Sequence, residues 1–194
     1  MTAEHTVPPC SAIRQAVAAG LCSGCGVCAG ICPAGNLRME WAPGGRLQPV
    51  GSGRCLPGCG ACGRVCPFAD GIPDETELAA GRFGAVPGIR HSPELGYYLA
   101  AFAGHARGGY RERGASGGLA SWFLASLLEQ GLVDRVVCVR GQADPARRFA
   151  YAVLDRPDAV RAAASSAYYP VDLAGAVRTM LDEEARYAVI GLPC

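Results

Sequence analysis

The chain has 194 residues, of which 50% are hydrophobic, and its formal net charge at pH 7 is +1. This composition predicts one large or two modest folded domains rather than a disordered chain. The near-zero charge and the absence of a long basic run give no electrostatic basis for binding nucleic acid or an anionic membrane. All 18 basic residues are arginine, which excludes catalysis through a lysine Schiff base.

Residues 1–15 lack the basic start and the apolar run of a signal peptide. The longest apolar stretch, residues 117–132, is too short and too polar to span a bilayer. We therefore expect a soluble, cytoplasmic protein.

Two dense cysteine runs come next, CSGCGVCAGICP (residues 22–33) and CLPGCGACGRVCP (residues 55–67). Disulfides, structural zinc and iron–sulfur clusters are the three chemistries that compete for them. Disulfides suit exported domains, and zinc sites often combine two separated CxxC pairs with histidine. Cys22, Cys25 and Cys28 fall in one tight loop with no histidine nearby, which favours a [4Fe–4S] cluster.

The first run has the spacing C-x2-C-x2-C-x3-C-P of the bacterial two-cluster ferredoxins, in which the fourth cysteine of each run ligates the other cluster. One [4Fe–4S] cluster is therefore assigned to Cys22, Cys25, Cys28 and Cys66. The second is assigned to Cys55, Cys59, Cys62 and Cys32. The second run departs from the pattern by one extra residue between Cys55 and Cys59. Residues 1–70 are predicted to form an α+β ferredoxin-like module with two [4Fe–4S] clusters.

Three cysteines remain outside this assignment. Cys138 lies in an apolar run with strand character, so we expect a small buried hydrophobe there. Cys10 is expected to be incidental. Cys194 would lie at the carboxyl end of a strand, where ligands of α/β proteins bind, and no role is assigned to it.

Residues 71–96, rich in glycine, proline and charge, are expected to form a linker with one helical turn after Pro73. Alternating strands and helices then predict an α/β layer with a largely parallel sheet over residues 97–194. The expected strands cover residues 97–106, 134–141, 149–155 and 186–193. The expected helices cover residues 117–130, 157–164 and 171–184. The first of these helices is expected to be capped by Ser116 and to stop at Gly131.

Two loops of this layer each allow two interpretations. Residues 107–118 are rich in glycine and arginine and precede a helix, so they either bind a phosphate-bearing cofactor or form a solvated turn. Residues 165–170, SSAYYP, either line a pocket with hydroxyls and a ring or form an ordinary turn. The three histidines share no spacing with each other or with acids, so no catalytic triad is predicted.

The order of these motifs resembles a known family. The two cysteine runs are followed by GASGGLASWFLASLLEQGLVDRVVCV, then SSAYYPVDLAGAV, then YAVIGLPC. Over nearly the whole chain, this order resembles the coenzyme F420 hydrogenase/dehydrogenase beta-subunit family. Members of that family are iron–sulfur flavoproteins. They bind FAD and pass electrons between a two-electron partner, often the deazaflavin coenzyme F420, and one-electron clusters.

The resemblance implies that Ser116, Gly117 and Gly118 meet the FAD and that Ser166 and Tyr168 line the same pocket. It implies an iron–sulfur flavoprotein oxidoreductase with a redox partner protein or subunit, without nucleic acid and without a membrane span. The alternative is a non-catalytic, ferredoxin-like electron-transfer subunit that docks to a partner oxidoreductase. No catalytic residue is assigned.

Two features depart from the family pattern. Ala167 stands where the family's serine–lysine–tyrosine loop has lysine, so a charged contact to cofactor or substrate is absent at that position. In the family, the GLPC sequence is followed by a helix and a further domain that help to complete the flavin site. We therefore expect this chain to be the N-terminal part of such a protein, with an incomplete flavin-associated domain over residues 97–194.

Overall fold

The computed structural model describes residues 11–51, 55–145 and 147–191. Cys10 and Cys194 lie outside the described residues. The described chain is mixed α and β, with two antiparallel two-stranded sheets and one mixed three-stranded sheet.

The two cysteine runs lie on either side of a β-hairpin that the sequence analysis did not predict. The elements of this part are α1 (Ser11–Ala18), α2 (Val27–Gly30), β1 (Leu37–Ala42), β2 (Arg46–Gly51) and α3 (Ala61–Arg64). The first cysteine run continues into α2 and the second into α3. Each of these short helices begins after a left-handed glycine, Gly26 (φ 78°) and Gly60 (φ 55°). Strands β1 and β2 pair antiparallel from Leu37–Gly51 to Ala42–Arg46. A ferredoxin-like fold for this part remains a prediction.

The segment expected to be a linker contains regular structure. It forms α4 (Glu75–Phe83) and the antiparallel hairpin of β3 (Arg90–Ser92) with β4 (Gly96–Tyr98). Helix α4 is longer than the predicted single turn because it has a capping box: the Asp74 carboxylate accepts from the Glu77 amide, and the Glu77 carboxylate accepts from the Asp74 amide. The strand predicted over residues 97–106 is wrong beyond Tyr98. Alanine and glycine dominate residues 99–105, and these residues have low β-propensity.

The remaining elements alternate helices and strands, as predicted. They are α5 (Tyr110–Arg113), α6 (Leu119–Glu129), β5 (Arg135–Gly141), β6 (Phe149–Leu154), α7 (Pro157–Ala162), α8 (Ala174–Asp182) and β7 (Tyr187–Val189). The residue that caps α6 is Gly118, with φ 71°, rather than Ser116. Gly131, with φ 63°, follows the end of α6 at the position predicted for its stop.

The prediction of a largely parallel sheet is wrong for the described residues. The strand order is β6-β5-β7, in which β5 is antiparallel to β6 and parallel to β7. Residues 142–148 join β5 to β6, and this connection is too short for a parallel crossover, which takes about a dozen residues or more. Strands β5 and β6 therefore form a hairpin.

The core of this part lies between the sheet and helices α6 and α7. Val136 and Ala125 are 0% exposed and Val160 is 2% exposed. Cys138 packs into the same cluster, which confirms it as a small buried hydrophobe. None of the described helices has the length and apolar character that crossing a membrane requires.

An ion pair ties the start of β5 to the start of β7. The Asp134 carboxylate accepts hydrogen bonds from the Arg186 amide (2.8 Å), Nε (3.0 Å) and Nη2 (2.8 Å). The side-chain hydrogen bond from Arg186 is the main cause that holds the pKa of Asp134 well below its usual range. Deprotonated Asp134 therefore favours the folded state.

We expect Asp134→Asn to lower the free energy of unfolding at pH 7, with a difference from the wild-type protein that depends on pH. A carboxyl group whose folded pKa is depressed stabilises fully above its unfolded pKa, about 3.9, and loses that contribution as pH falls toward the folded pKa. The difference between the two proteins should thus be constant from pH 7 to pH 5 and shrink below pH 4. Urea denaturation at each pH measures it. Asp158→Asn is the control: it removes the exposed ion pair between Asp158 and Arg156 and should have little effect on the free energy of unfolding. A difference that grew below pH 4 would contradict the assignment.

Candidate functional site

The N-terminal end of α8 is bound directly to the first cysteine run. The Leu173 amide donates a 2.7 Å hydrogen bond to the carbonyl of Cys25, and Arg178 Nη2 donates a 3.1 Å hydrogen bond to the carbonyl of Ala29. These contacts join two segments that are far apart in sequence. They place the cysteine loop against the α/β part of the chain.

Two glycines make this close approach possible. A Cβ atom at Gly26 would lie 2.7 Å from the Cβ of Asp172, and one at Gly30 would lie 2.6 Å from the Cβ of Val177. Real Cβ atoms do not approach so closely, so any side chain at either position would push α8 away. The glycines in the first cysteine run therefore allow helix docking as well as chain curvature.

The four cysteines predicted to share the first cluster are electrostatic neighbours in the structure. The pKa of the Cys28 thiol is raised to about 12, chiefly by burial and to a smaller extent by nearby thiolates, including Cys25, Cys22 and Cys66. Burial is also the main cause that raises the pKa of Cys22, to which Cys25 and Cys66 contribute. Cys66 comes from the second run, so the structure brings the predicted crossed ligand to the first run.

The four cysteines predicted to bind the second cluster are less closely grouped in the structure. Cys62 is buried and packs in the same core as Cys28, with Cys32 and Cys66 at its edge, whereas Cys55 is exposed. Cys62 also influences the Cys28 thiol electrostatically. Cys55 is not part of that core cluster, so this assignment stays a prediction.

The donor chemistry of the two runs fits iron–sulfur clusters. All nine described cysteines are free thiols, eight of them in the two runs. Within the described ranges, no three His, Cys, Asp or Glu side chains are arranged to hold a single metal ion. A tetrahedral zinc site needs four donors within about 2.3 Å of one ion, whereas a [4Fe–4S] cluster distributes its four thiolates over four irons. The thiol-only donor set of the two runs is chemically suited to the second arrangement.

A cavity of about 810 Å³ lies beside the cysteine run. All five residues predicted to bind the cofactor line it, namely Ser116, Gly117, Gly118, Ser166 and Tyr168. Ser23 and Cys25 line the same cavity, although the sequence analysis did not place them there. Its volume is in the range typical of cofactor sites, roughly 300–1,000 Å³. The structure therefore brings two sequence-distant loops and the cysteine run to one place.

The loop that precedes α6 is shaped by glycines. Gly118 has φ 71°, and a Cβ there would overlap the Tyr110 carbonyl oxygen. A Cβ at Gly117 would lie 3.1 Å from the carbonyl oxygen of Gly104, and the Gly117 carbonyl accepts a 2.8 Å hydrogen bond from the Ala106 amide. These contacts show a packed loop rather than the solvated turn that the sequence also allowed.

The first turn of α6 forms part of the cavity wall. Leu119, Ala120 and Ser121 line the cavity, and the capping residue Gly118 makes no side-chain cap hydrogen bond. The first amides of a helix lack intrahelical partners, and the helix dipole favours an anion at this end. The exposed arginines 107, 111 and 113 do not line the cavity, so an anion at this wall would meet backbone amides rather than these guanidinium groups.

The loop between α7 and α8 forms another part of the wall. Ser165 has φ 120°, a conformation that side chains rarely adopt, and Tyr168 is 95% exposed at the edge of the cavity. Such strain at a cavity wall supports a binding role, because the surrounding packing must hold it in place. Ala167 also lines the cavity and brings no charge to it.

A second cavity of about 390 Å³ adjoins the first and shares Tyr151, Tyr169, Pro170 and Val171 with it. Its aromatic lining comes from Tyr169, which contacts Trp41 of β1 (5.9 Å between ring centroids) and Phe149 of β6 (5.8 Å). Arg147 is the cationic residue among its lining residues. Asp172 also lines it, so this cavity combines aromatic walls with one positive and one negative side chain.

Several lining residues could not be found from local sequence patterns. Ser23 and Cys25 reach the large cavity only because α8 docks on their loop. Tyr151 and Ile190 reach it from β6 and from the end of β7, which depends on how the strands pair. No motif in the sequence signals either arrangement.

We expect Gly118→Ala to lower the free energy of unfolding by roughly 1–3 kcal/mol beyond the cost of the left-handed conformation, because the new methyl group would overlap the Tyr110 carbonyl oxygen. Gly108→Ala is the matched control: Gly108 also has positive φ (72°) but nothing within 4 Å of its Cβ position. The control should cost only the left-handed conformation, about 1 kcal/mol. Denaturant unfolding of the three proteins measures both values. Equal losses for the two variants would show that the loop is not packed as described.

Comparison with known proteins supports the resemblance seen in the sequence. Residues 101–178 match the family described as coenzyme F420 hydrogenase/dehydrogenase, beta subunit N-term. The matched segment contains all five predicted cofactor residues and does not include the two cysteine runs. A search of curated proteins found no match to the chain.

Proposed function

We propose that this chain is an iron–sulfur flavoprotein subunit of an oxidoreductase, because residues 101–178 match the N-terminal model of the coenzyme F420 hydrogenase/dehydrogenase beta-subunit family. The family itself implies an oxidoreductase subunit that works with other subunits. The finer proposal is that the large cavity binds FAD and that the eight cysteines of the two runs bind two [4Fe–4S] clusters. The observation that carries it is the single cavity wall formed by Cys25, Gly117 and Ser166.

Each part of this wall suits a portion of FAD. The exposed backbone of Gly117 and Gly118 and the first amides of α6 favour the diphosphate. The hydroxyl of Ser166 and the ring of Tyr168 suit the polar edge and the face of a planar ring system. When bound, FAD would supply two-electron chemistry toward a soluble carrier and one-electron chemistry toward the clusters.

The cysteine run fits this arrangement because its position relative to the cavity is fixed. The hydrogen bond from the Leu173 amide to the Cys25 carbonyl holds the loop against α8, and the absence of a side chain at Gly26 makes this close approach possible. Cys25 itself lines the cavity. Among the described cysteines of the two runs, Cys25 is the one that lines the cavity. The cluster assigned to Cys22, Cys25, Cys28 and Cys66 would therefore be the one next to the flavin.

The smaller cavity is suited to the two-electron carrier. Its aromatic walls can stack on a flat heterocycle, Arg147 can pair with an anionic group, and Tyr151 and Tyr169 belong to both cavities. A carrier of the deazaflavin type has both features. A non-catalytic electron-transfer subunit is the alternative function, and it differs by containing clusters without flavin.

The crossed cluster assignment predicts which cysteine pairs act together. Cys25→Ala/Cys66→Ala removes two ligands of one cluster, so we expect about four irons instead of about eight. Cys25→Ala/Cys62→Ala removes one ligand from each cluster and should leave markedly less than four. Iron and acid-labile sulfide are measured on anaerobically purified protein. Cys138→Ala, in β5, is the control and should retain about eight irons. Equal iron contents in the two double variants would contradict the crossed assignment.

The proposed role of Arg147 predicts a selective kinetic effect. Arg147→Gln should raise the KM for reduced coenzyme F420 roughly tenfold, since a charge-assisted contact is lost, while FAD and iron contents stay unchanged. Arg148→Gln is the neighbouring control, because Arg148 does not line the cavity. Steady-state kinetics with an artificial electron acceptor measures both. An unchanged KM in Arg147→Gln would remove the smaller cavity from the proposal.

A further inference from the structure

The backbone of Tyr110 contacts both ends of the glycine-rich loop of residues 114–118. Tyr110 opens α5, is 7% exposed, and its carbonyl oxygen accepts a 3.0 Å hydrogen bond from the Gly114 amide. The same oxygen occupies the space that a Cβ at Gly118 would need. Tyr110 does not line the large cavity, yet both ends of the 114–118 loop rest against it. A shift of Tyr110 would thus change the shape of the cavity wall.

The side chain of Tyr110 is held by an arginine from a different helix. Arg161 of α7 donates a 2.6 Å hydrogen bond from Nε to the Tyr110 hydroxyl, and its guanidinium carbon lies 5.3 Å from the centroid of the tyrosine ring. Its Nη2 pairs with the carboxylate of Glu129 at the end of α6. One planar guanidinium therefore binds α5 and α6 at the same time, which the single ammonium of a lysine could not do with the same geometry.

We propose that Arg161 is a positioning residue that fixes the 114–118 loop, and so the wall of the large cavity, through Tyr110. This role rests on the proposed function only in that FAD is taken as the ligand of the large cavity. Arg161 does not line either cavity. Its effect on a ligand must therefore pass through Tyr110 and the loop.

A purely structural ion pair would behave differently. The side chains of Arg161 and Glu129 are 44% and 43% exposed, and exposed ion pairs contribute little to global stability. If Arg161 acted only as a surface charge, its loss would change neither the protection of the loop nor the affinity for FAD. The free energy of unfolding and the hydrogen exchange of the loop therefore report on different roles of Arg161.

The test uses the full chain, purified anaerobically, with Arg161→Met, Tyr110→Phe and the double variant. Arg156→Met is the matched control, because Arg156 forms an exposed pair with Asp158 at the start of the same helix. Hydrogen–deuterium exchange over residues 104–119 reports the order of the loop without reference to any ligand. Fluorescence of FAD released on dilution gives the dissociation constant.

We expect Arg161→Met and Tyr110→Phe each to increase exchange in residues 104–119 and to weaken FAD binding about tenfold. The double variant should be no worse than either single one, because both changes break the same contact. Arg156→Met should match the unaltered protein in both measurements.

Unchanged exchange in Arg161→Met would overturn the proposal, as would additive effects in the double variant. Increased exchange with unchanged FAD affinity would overturn the link from the loop to the cavity. Absence of FAD from the unaltered protein would instead refute the proposed function, and the exchange data would then decide alone whether Arg161 positions the loop.

Discussion

The hydrogen bond from the Leu173 amide to the Cys25 carbonyl is the contact on which the proposed site depends. It lies where α8 docks on the first cysteine run, and it requires Gly26 and Gly30 to have no side chains. Without this docking, the cysteine run and the α/β part would be independent units joined by the chain. With it, Cys25 becomes part of the wall of a cavity whose other walls come from residues between Gly104 and Gly191. Electron exchange between a flavin and a cluster needs this proximity.

The cavity wall depends more on backbone than on charged side chains. Gly117 and Gly118 bring peptide groups without side chains to the cavity, the first turn of α6 adds amides, and Ala167 brings no charge. Such a surface suits the binding and orientation of a cofactor that carries the reaction itself. It also explains why no set of acids, bases and nucleophiles could be assigned from the sequence.

Local patterns predicted much of the fold. The apolar periodicity located α6, α8 and β5, and Gly131 marked the end of α6. The capping box at Asp74 was a readable signal for α4, and the two glycines at 44 and 45 between apolar stretches were a readable signal for the β1–β2 hairpin. The direction of β6 was mispredicted because alternating elements were given more weight than the short connection over residues 142–148.

The candidate site was only partly predictable for a related reason. The family resemblance identified five lining residues in two loops, whereas the composition of these loops alone left two interpretations open for each. Ser23 and Cys25 could not be placed beside them, since nothing in the spacing of the cysteines shows which helix packs on their loop. The spacing of the cysteines predicts a crossed role for Cys66, and the electrostatic influence of Cys66 on Cys22 and Cys28 agrees with that prediction.

The most direct test is quantification of iron, acid-labile sulfide and flavin on one anaerobically purified sample of the unaltered chain. Two clusters and an occupied cavity predict about eight irons, about eight sulfides and one FAD per chain. Eight irons without flavin would contradict the assignment of the cavity and leave an electron-transfer subunit. Zinc in place of iron would contradict the redox function altogether.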